Sequence, residues 1–328
     1  MKKPYTHLFS KVLLLITLFS FSCEKSSNTD QEREKISQEV RKSLDGEILF
    51  SKNNSIFKAT AKSGGSGTLM DTKVYESVRQ KWSSDGSKIA YIKITDLVND
   101  CYLVISDKNG MIQHEWLLGT PSSLSSLQDL TWSPDGTTIA VLASNKIIYV
   151  KIASGNLTTT HLIPTPGFAF SSVAWCPKGN KIAISEGRWH LYSSEDGNQY
   201  IWMLEVYEKD PHKAPSNLLV TNSDPSLTNI RYLDWNMDGT MLTYSGSGTG
   251  SIYIVHSDGT DNQKITVKHP FEGKAVYGFA PCWMSNNKQI IYVGMKGDWT
   301  TNLGLFVTDI QGTYNVDINI PGLYPDCY

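Results

Sequence analysis

The apolar positions of this chain fall into short runs, and the runs repeat. An apolar strand ending in tryptophan leads into a polar turn and then into a second apolar strand. Leu130-Thr-Trp-Ser-Pro-Asp-Gly-Thr-Thr-Ile-Ala-Val-Leu142 is the clearest copy. Others are Lys81-Trp-Ser-Ser-Asp-Gly-Ser-Lys-Ile-Ala-Tyr91, Ala174-Trp-Cys-Pro-Lys-Gly-Asn-Lys-Ile-Ala-Ile184 and Asp234-Trp-Asn-Met-Asp-Gly-Thr-Met-Leu-Thr-Tyr244. Cys282-Trp-Met-Ser-Asn-Asn-Lys-Gln-Ile-Ile-Tyr292 is a more diverged fifth. The tryptophans at 82, 132, 175, 235 and 283 are 50, 43, 60 and 48 residues apart. A period in the forties marks a supersecondary unit too small to bury its own apolar face, stacked on others like it.

A third apolar, β-branched run follows in each unit, for example Lys146-Ile-Ile-Tyr-Val150 and Ser251-Ile-Tyr-Ile-Val255, and ends in hairpin residues such as Asp107-Lys-Asn-Gly110. A fourth, more polar run such as Gln263-Lys-Ile-Thr-Val267 completes the unit as an outer edge. Four antiparallel strands per repeat, with no helical periodicity after residue 45, predict an all-β fold, the β-propeller. Counting second strands at Ile48, Ile89, Ile139, Ile182, Leu242 and Ile290 predicts six blades of about 47 residues over 46–328. The first blade lacks its innermost strand. Leu323-Tyr-Pro-Asp-Cys-Tyr328 aligns with Tyr277-Gly-Phe-Ala-Pro-Cys-Trp283, so it is expected to pair beside Ile48–Phe50 and close the ring, removing the open sheet edges.

The repeated Asp-Gly pair reads as turn chemistry: Asp accepts backbone N–H groups and Gly tolerates positive φ. Each repeated tryptophan reads as a wedge between blades, burying about 150–250 Å². The repeat resembles the WD40-like (PD40) repeat of the TolB propeller and of propellers in the prolyl-oligopeptidase group. The likeness covers roughly residues 46–328 and rests on Trp-Ser-Pro-Asp-Gly followed by Ile-Ala. Lys178 and Asn286-Asn287 depart from the pattern but still suit a turn. It implies a propeller, and the TolB likeness favours a protein or peptide partner.

Ahead of the repeats, Met1-Lys-Lys3 and the apolar run Val12–Ser22 form a signal-type segment of 1–22, too short to span a bilayer, that ends at Cys23. That arrangement resembles a bacterial lipoprotein signal, with Cys23 the lipidated residue and the membrane reached through the anchor alone, on the outer-membrane, periplasmic or surface side of the cell envelope. Residues 23–45 are polar and charged and read as a tether, with Ile36, Val40 and Leu44 at helical spacing. The 30 basic against 32 acidic residues give no electrostatic footprint for nucleic acid.

No local motif announces catalysis. The seven histidines show no His-Glu-x-x-His spacing, and there is no Gly-x-Ser-x-Gly elbow or phosphate loop. No metal-type cysteine pairing occurs, so neither metal nor cofactor is expected. Cys282 and Cys327 occupy equivalent places on adjoining inner strands, which are expected to lie beyond the roughly 7 Å a disulfide spans, as free buried thiols. The long connections at the starts of the inner strands share one face, and loops over a rigid scaffold suit binding. Candidate ligand residues there are Trp189, His190, Tyr192, Phe271, Tyr277 and Trp299, with Glu76 and Arg231 at the channel mouth. The expected function is a non-catalytic binding scaffold for a protein, peptide or glycan; the alternative is an extracytoplasmic carbohydrate-active hydrolase or lyase.

Overall fold

The computed structural model describes residues 31–328, apart from 75–78, 95–99, 121–126, 144, 163–167, 180, 189–198, 206–216, 223–228, 248–249, 267–276 and 297–300. For 160, 168–169, 186–188, 199–205, 217–222, 229 and 247 it describes the backbone only. Two compact units are present, Met1–Leu44 and Asp45–Tyr328. The first contains the helix α1 over residues 31–43, where the spacing of Ile36 and Val40 predicts one.

The second unit is an all-β propeller with four-stranded antiparallel blades. It opens with β1 (Glu47–Ser51), β2 (Ser55–Thr60) and β3 (Thr68–Thr72). Next come β4 (Lys81–Trp82), β5 (Lys88–Ile94), β6 (Cys101–Asp107) and β7 (Ile112–Gly119), then β8 (Leu127–Trp132), β9 (Thr138–Ala143), β10 (Lys146–Lys151) and β11 (Leu157–His161). The following set is β12 (Phe168–Trp175), β13 (Lys181–Arg188), β14 (Gln199–Glu205) and β15 (Asn217–Asn222). After it come β16 (Asn229–Trp235), β17 (Met241–Ser247), β18 (Ile252–His256) and β19 (Gln263–Ile265). The last strands are β20 (Tyr277–Trp283), β21 (Gln289–Met295), β22 (Asn302–Asp309), β23 (Asn315–Asp317) and β24 (Leu323–Cys327).

Each consecutive set of four from β4 to β23 forms its own sheet, and β24 pairs with β1 to give the order β24-β1-β2-β3. The register places Ile48 opposite Cys327 and Leu49 opposite Asp326. The innermost strands then neighbour one another in the sequence β4, β8, β12, β16, β20, β24, and β24 also neighbours β4. Between successive sheets lie the apolar clusters. One joins Ile92 and Leu103 to Leu130, Trp132 and Val141; another joins Ile252 and Ile254 to Trp283, Ile290 and Phe306.

The turns behave as their residue types require. Asp85 accepts from the Ser83 hydroxyl (2.6 Å) and the Ser87 N–H (3.0 Å), and Gly86 sits at φ +66°. The set recurs with Ser133, Asp135, Gly136 and Thr137. Where Gly is replaced by Asn287, the backbone keeps φ +57°, a region that Asn tolerates. At Gly86 the need is also steric, because a Cβ there would come within 2.1 Å of the Tyr328 ring.

The repeated tryptophans do more than fill wedges. The Trp132 indole N–H donates to the Lys81 carbonyl (3.0 Å) and that of Trp235 to the Ala174 carbonyl (3.1 Å), in each case across to the preceding sheet. In the other three copies the backbone N–H makes the crossing. Trp82 donates to Asp326, Trp175 to Thr131 and Trp283 to Asp234, at 2.7, 3.0 and 2.9 Å. A tryptophan at this position therefore hydrogen-bonds one blade to the next as well as packing on it.

The expectation of free thiols at Cys282 and Cys327 is corrected. They form a disulfide, with Cα atoms 6.1 Å apart, inside the usual range. Inner strands converge toward the middle of the propeller, so equivalent positions on β20 and β24 approach more closely than strands from separate sheets would elsewhere. Cys327→Ser should lower stability by about 3–4 kcal/mol, the loop-closure value for a link across some 45 residues. Urea unfolding of the oxidised wild type against the variant measures it.

Candidate functional site

Inner strands at a sheet's narrow edge bring residues from distant repeats together. Arg79, only 1% exposed, precedes β4 and donates to Asp129 on β8 (3.1 Å) and to the Leu233 carbonyl on β16 (2.7 Å). Its guanidinium also lies 5.6 Å from the centre of the Tyr232 ring. Lys81 on β4 donates to Asp234 on β16 (2.8 Å) and to Asp326 on β24 (2.6 Å). Strand β16 does not neighbour β4; its inner neighbours are β12 and β20. Both cations therefore bridge the middle of the propeller and tie together strands that share no sheet edge.

Each carboxylate has further partners. Asp234 also accepts from the Trp283 N–H, Asp326 from the Trp82 N–H, and Asp129 from the Leu130 N–H (3.0 Å) and the Ser172 hydroxyl. Burial works against the charge of Arg79, but Asp129, Asp234 and Asp326 outweigh it and hold the guanidinium above its ordinary value. Lys81 is raised likewise: burial and Arg79 oppose its charge, and the carboxylates prevail. Asp326 is pushed up to about 6, chiefly by burial, with the neighbouring charge of Asp234 adding to it and Lys81 opposing it.

That shift gives a pH dependence with a defined sign. Between its ordinary value of 3.8 and about 6, Asp326 holds a proton in the folded state that the unfolded chain has released. Its contribution to stability is therefore fully present below pH 3.8 and is lost as pH rises through about 6. Melting curves from pH 4 to 7 should show this slope in the wild type and its absence in Asp326→Asn.

Beside this charge set lies a cavity of about 100 Å³. Lys81, Asp234 and Asp326 line it together with Trp82, Trp132, Trp235 and Trp283, and its rim carries turn residues such as Ser84, Pro134 and Met237. It therefore opens where the inner strands end, at the opposite end from the face expected to bind.

Of the expected site residues, Glu76, Trp189, His190, Tyr192, Phe271 and Trp299 lie outside the described residues, as does Cys23. Arg231 is half-buried on β16, paired in register with Ser245, and its Nε is buried without an acceptor among the described atoms. Tyr277 is half-buried and packs so closely on Gly250 that a Cβ there would meet its ring at 1.7 Å, which makes it a packing residue between neighbouring sheets. Sequence reasoning missed Arg79, Lys81, Asp129, Asp234 and Asp326. A signal existed: each stands one to three residues before a repeated aromatic, where other copies carry Ala174, Val173 or Leu130. Among the described residues no group of three or more His, Cys, Asp or Glu side chains could hold a metal ion.

No protein-family model and no curated protein matches the chain. Solved structures do. A chain of a nidogen/laminin complex is 11% identical, with a TM-score of 0.60 over 86% of this chain and 97% of that one. TolB from Acinetobacter baumannii is 14% identical with a TM-score of 0.60, covering 86% of this chain and 66% of its own. Hydrazine synthase from Kuenenia stuttgartiensis is 12% identical with a TM-score of 0.53, over 80% and 73%. At such identities the likeness shows a shared architecture alone, and that architecture is the β-propeller.

Proposed function

We propose that this chain is a lipid-anchored, extracytoplasmic propeller of six blades, its ring closed by β24, that acts as a non-catalytic binding scaffold. The observation that carries this reading is the state of the central carboxylates. Asp129, Asp234 and Asp326 each accept from a backbone N–H and from a cation, and so act as fixed struts. A general base or nucleophile needs a lone pair directed at substrate. The disulfide suits an oxidising compartment, and the signal-type segment ending at Cys23 suits an anchor. The nidogen/laminin structure is a complex between proteins, which favours a protein or peptide partner over a glycan. The proposed contact face is that of the connections at the starts of the inner strands, with Arg231 at its edge.

Immobilised full-length chain should retain a discrete protein or glycan from envelope extract and release it with unchanged mass. Release of a shortened product would overturn the scaffold reading in favour of a hydrolase or lyase. Cys23→Ser should abolish labelling by a fatty-acid probe; labelling that persists would remove the anchor from the proposal.

A further inference from the structure

The cavity at the ends of the inner strands combines three properties that select a ligand class. Its volume of about 100 Å³ compares with roughly 10–15 Å³ for one water, so it accommodates a small organic group. Trp82, Trp132, Trp235 and Trp283 are among its lining residues. Its charge is unbalanced: the single ammonium of Lys81 faces the two carboxylates of Asp234 and Asp326, while Arg79 and Asp129 cancel each other nearby. Asp234 is the most open of the three charged groups, with 17% of its side chain exposed.

We propose that this cavity binds an organic ammonium group, held by the surplus negative charge of Asp234 and Asp326. The charge sign decides between ligand classes. An anion would add a third negative charge to a partly desolvated site that already carries one in excess. A neutral group gains the apolar contact but leaves the excess uncompensated. An ammonium with apolar substituents gains both the apolar contact and the Coulombic attraction. This inference goes beyond the scaffold reading, since it concerns the opposite end of the propeller and a different chemistry. The ammonium could come from a free amine or from a lysine side chain in a peptide.

The test is a tryptophan-fluorescence titration of the full-length chain at pH 7 with three probes of similar size: tetramethylammonium, tert-butanol and pivalate. Tetramethylammonium should shift the emission saturably at millimolar concentration, about tenfold more tightly than tert-butanol, with pivalate inert. Asp234→Asn, which retains an acceptor for the Trp283 N–H, should weaken the cation about tenfold. Because Asp234 is partly buried, a second variant tests the same charge from the rim. Ser84→Lys, at an exposed position, should weaken the cation without changing the melting temperature. The blocked peptide acetyl-Gly-Lys-Gly-amide binding more tightly than tetramethylammonium would identify a lysine as the source, and weaker binding a free amine; both support an ammonium site. Equal affinity for tert-butanol or pivalate, or no saturation by any ammonium, would overturn it. Partner capture from envelope extract by Ser84→Lys is read separately, so failure here and failure of the scaffold reading are distinguishable.

Discussion

Deleting Leu323–Tyr328 should leave a chain that does not fold to a soluble monomer. The segment supplies the partner strand of β1 and a reciprocal pair of backbone bonds between Glu47 and Tyr328, at 2.7 and 2.9 Å. It also carries Cys327 of the disulfide, and Asp326, which accepts from both Lys81 and the Trp82 N–H. Tyr328 itself packs 5.9 Å from the Trp82 ring and donates to the Asp85 carbonyl. Without the strand, Ile48, Leu49 and Phe50, all fully buried in the intact protein, face an open sheet edge. Exposing one such side chain costs roughly 1.5–3 kcal/mol, and a domain has only about 5–15 kcal/mol in total. The unpaired edge of β1 also invites pairing between chains. Circular dichroism melts with size-exclusion chromatography measure the outcome. A truncated monomer melting within a few degrees of the full chain would show that β24 is dispensable.

The second large effect is expected from Lys81→Met. Methionine replaces the stem of the lysine closely in volume and removes the one ammonium between Asp234 and Asp326. Two carboxylates are then left facing each other in a largely desolvated centre. Removing one partner of a buried ion pair typically costs about 3–5 kcal/mol, because the remaining charge loses its compensation. For a propeller of this size that corresponds to a melting temperature lower by about 10 °C. The deficit should shrink as pH falls toward 6, because without Lys81, which holds the Asp326 carboxyl down, a carboxylate takes up its proton at a higher pH than in the intact protein. Replacing all three together, with Met at 81 and Asn at 234 and 326, should recover most of the loss. Asn still offers an oxygen to the backbone N–H groups of Trp82 and Trp283. A double-mutant cycle showing no coupling between 81 and 234 would mean the bridge contributes nothing to stability.

Much of the architecture is legible in the chain because it is written in local chemistry. The Asp-Gly turns at 85–86 and 135–136 need only their own residues to form, and the alternation of apolar runs with these turns marks each strand pair. The pairing of β24 with β1 was also readable, since the last six residues align with the inner-strand repeat and the first repeat lacks that strand. Even the bulk of the tryptophans points to the spaces between blades.

What the sequence could not supply is which residues meet across the middle. Lys81 reaches Asp234 over 153 positions and Asp326 over 245; β24, which carries Asp326, adjoins β4, but β16, which carries Asp234, does not. A repeat pattern fixes where each side chain sits within its own blade. The distance between equivalent positions in different blades depends on how the blades are arranged about a common axis, and that arrangement set the two cysteines at 6.1 Å, close enough to bond. The same convergence opened the cavity at the ends of the inner strands rather than at their starts. Periodicity determined the strands, their turns and their packing faces. The charge bridges, the disulfide and the cavity were decided only by tertiary convergence, because they depend on distances that no local pattern encodes.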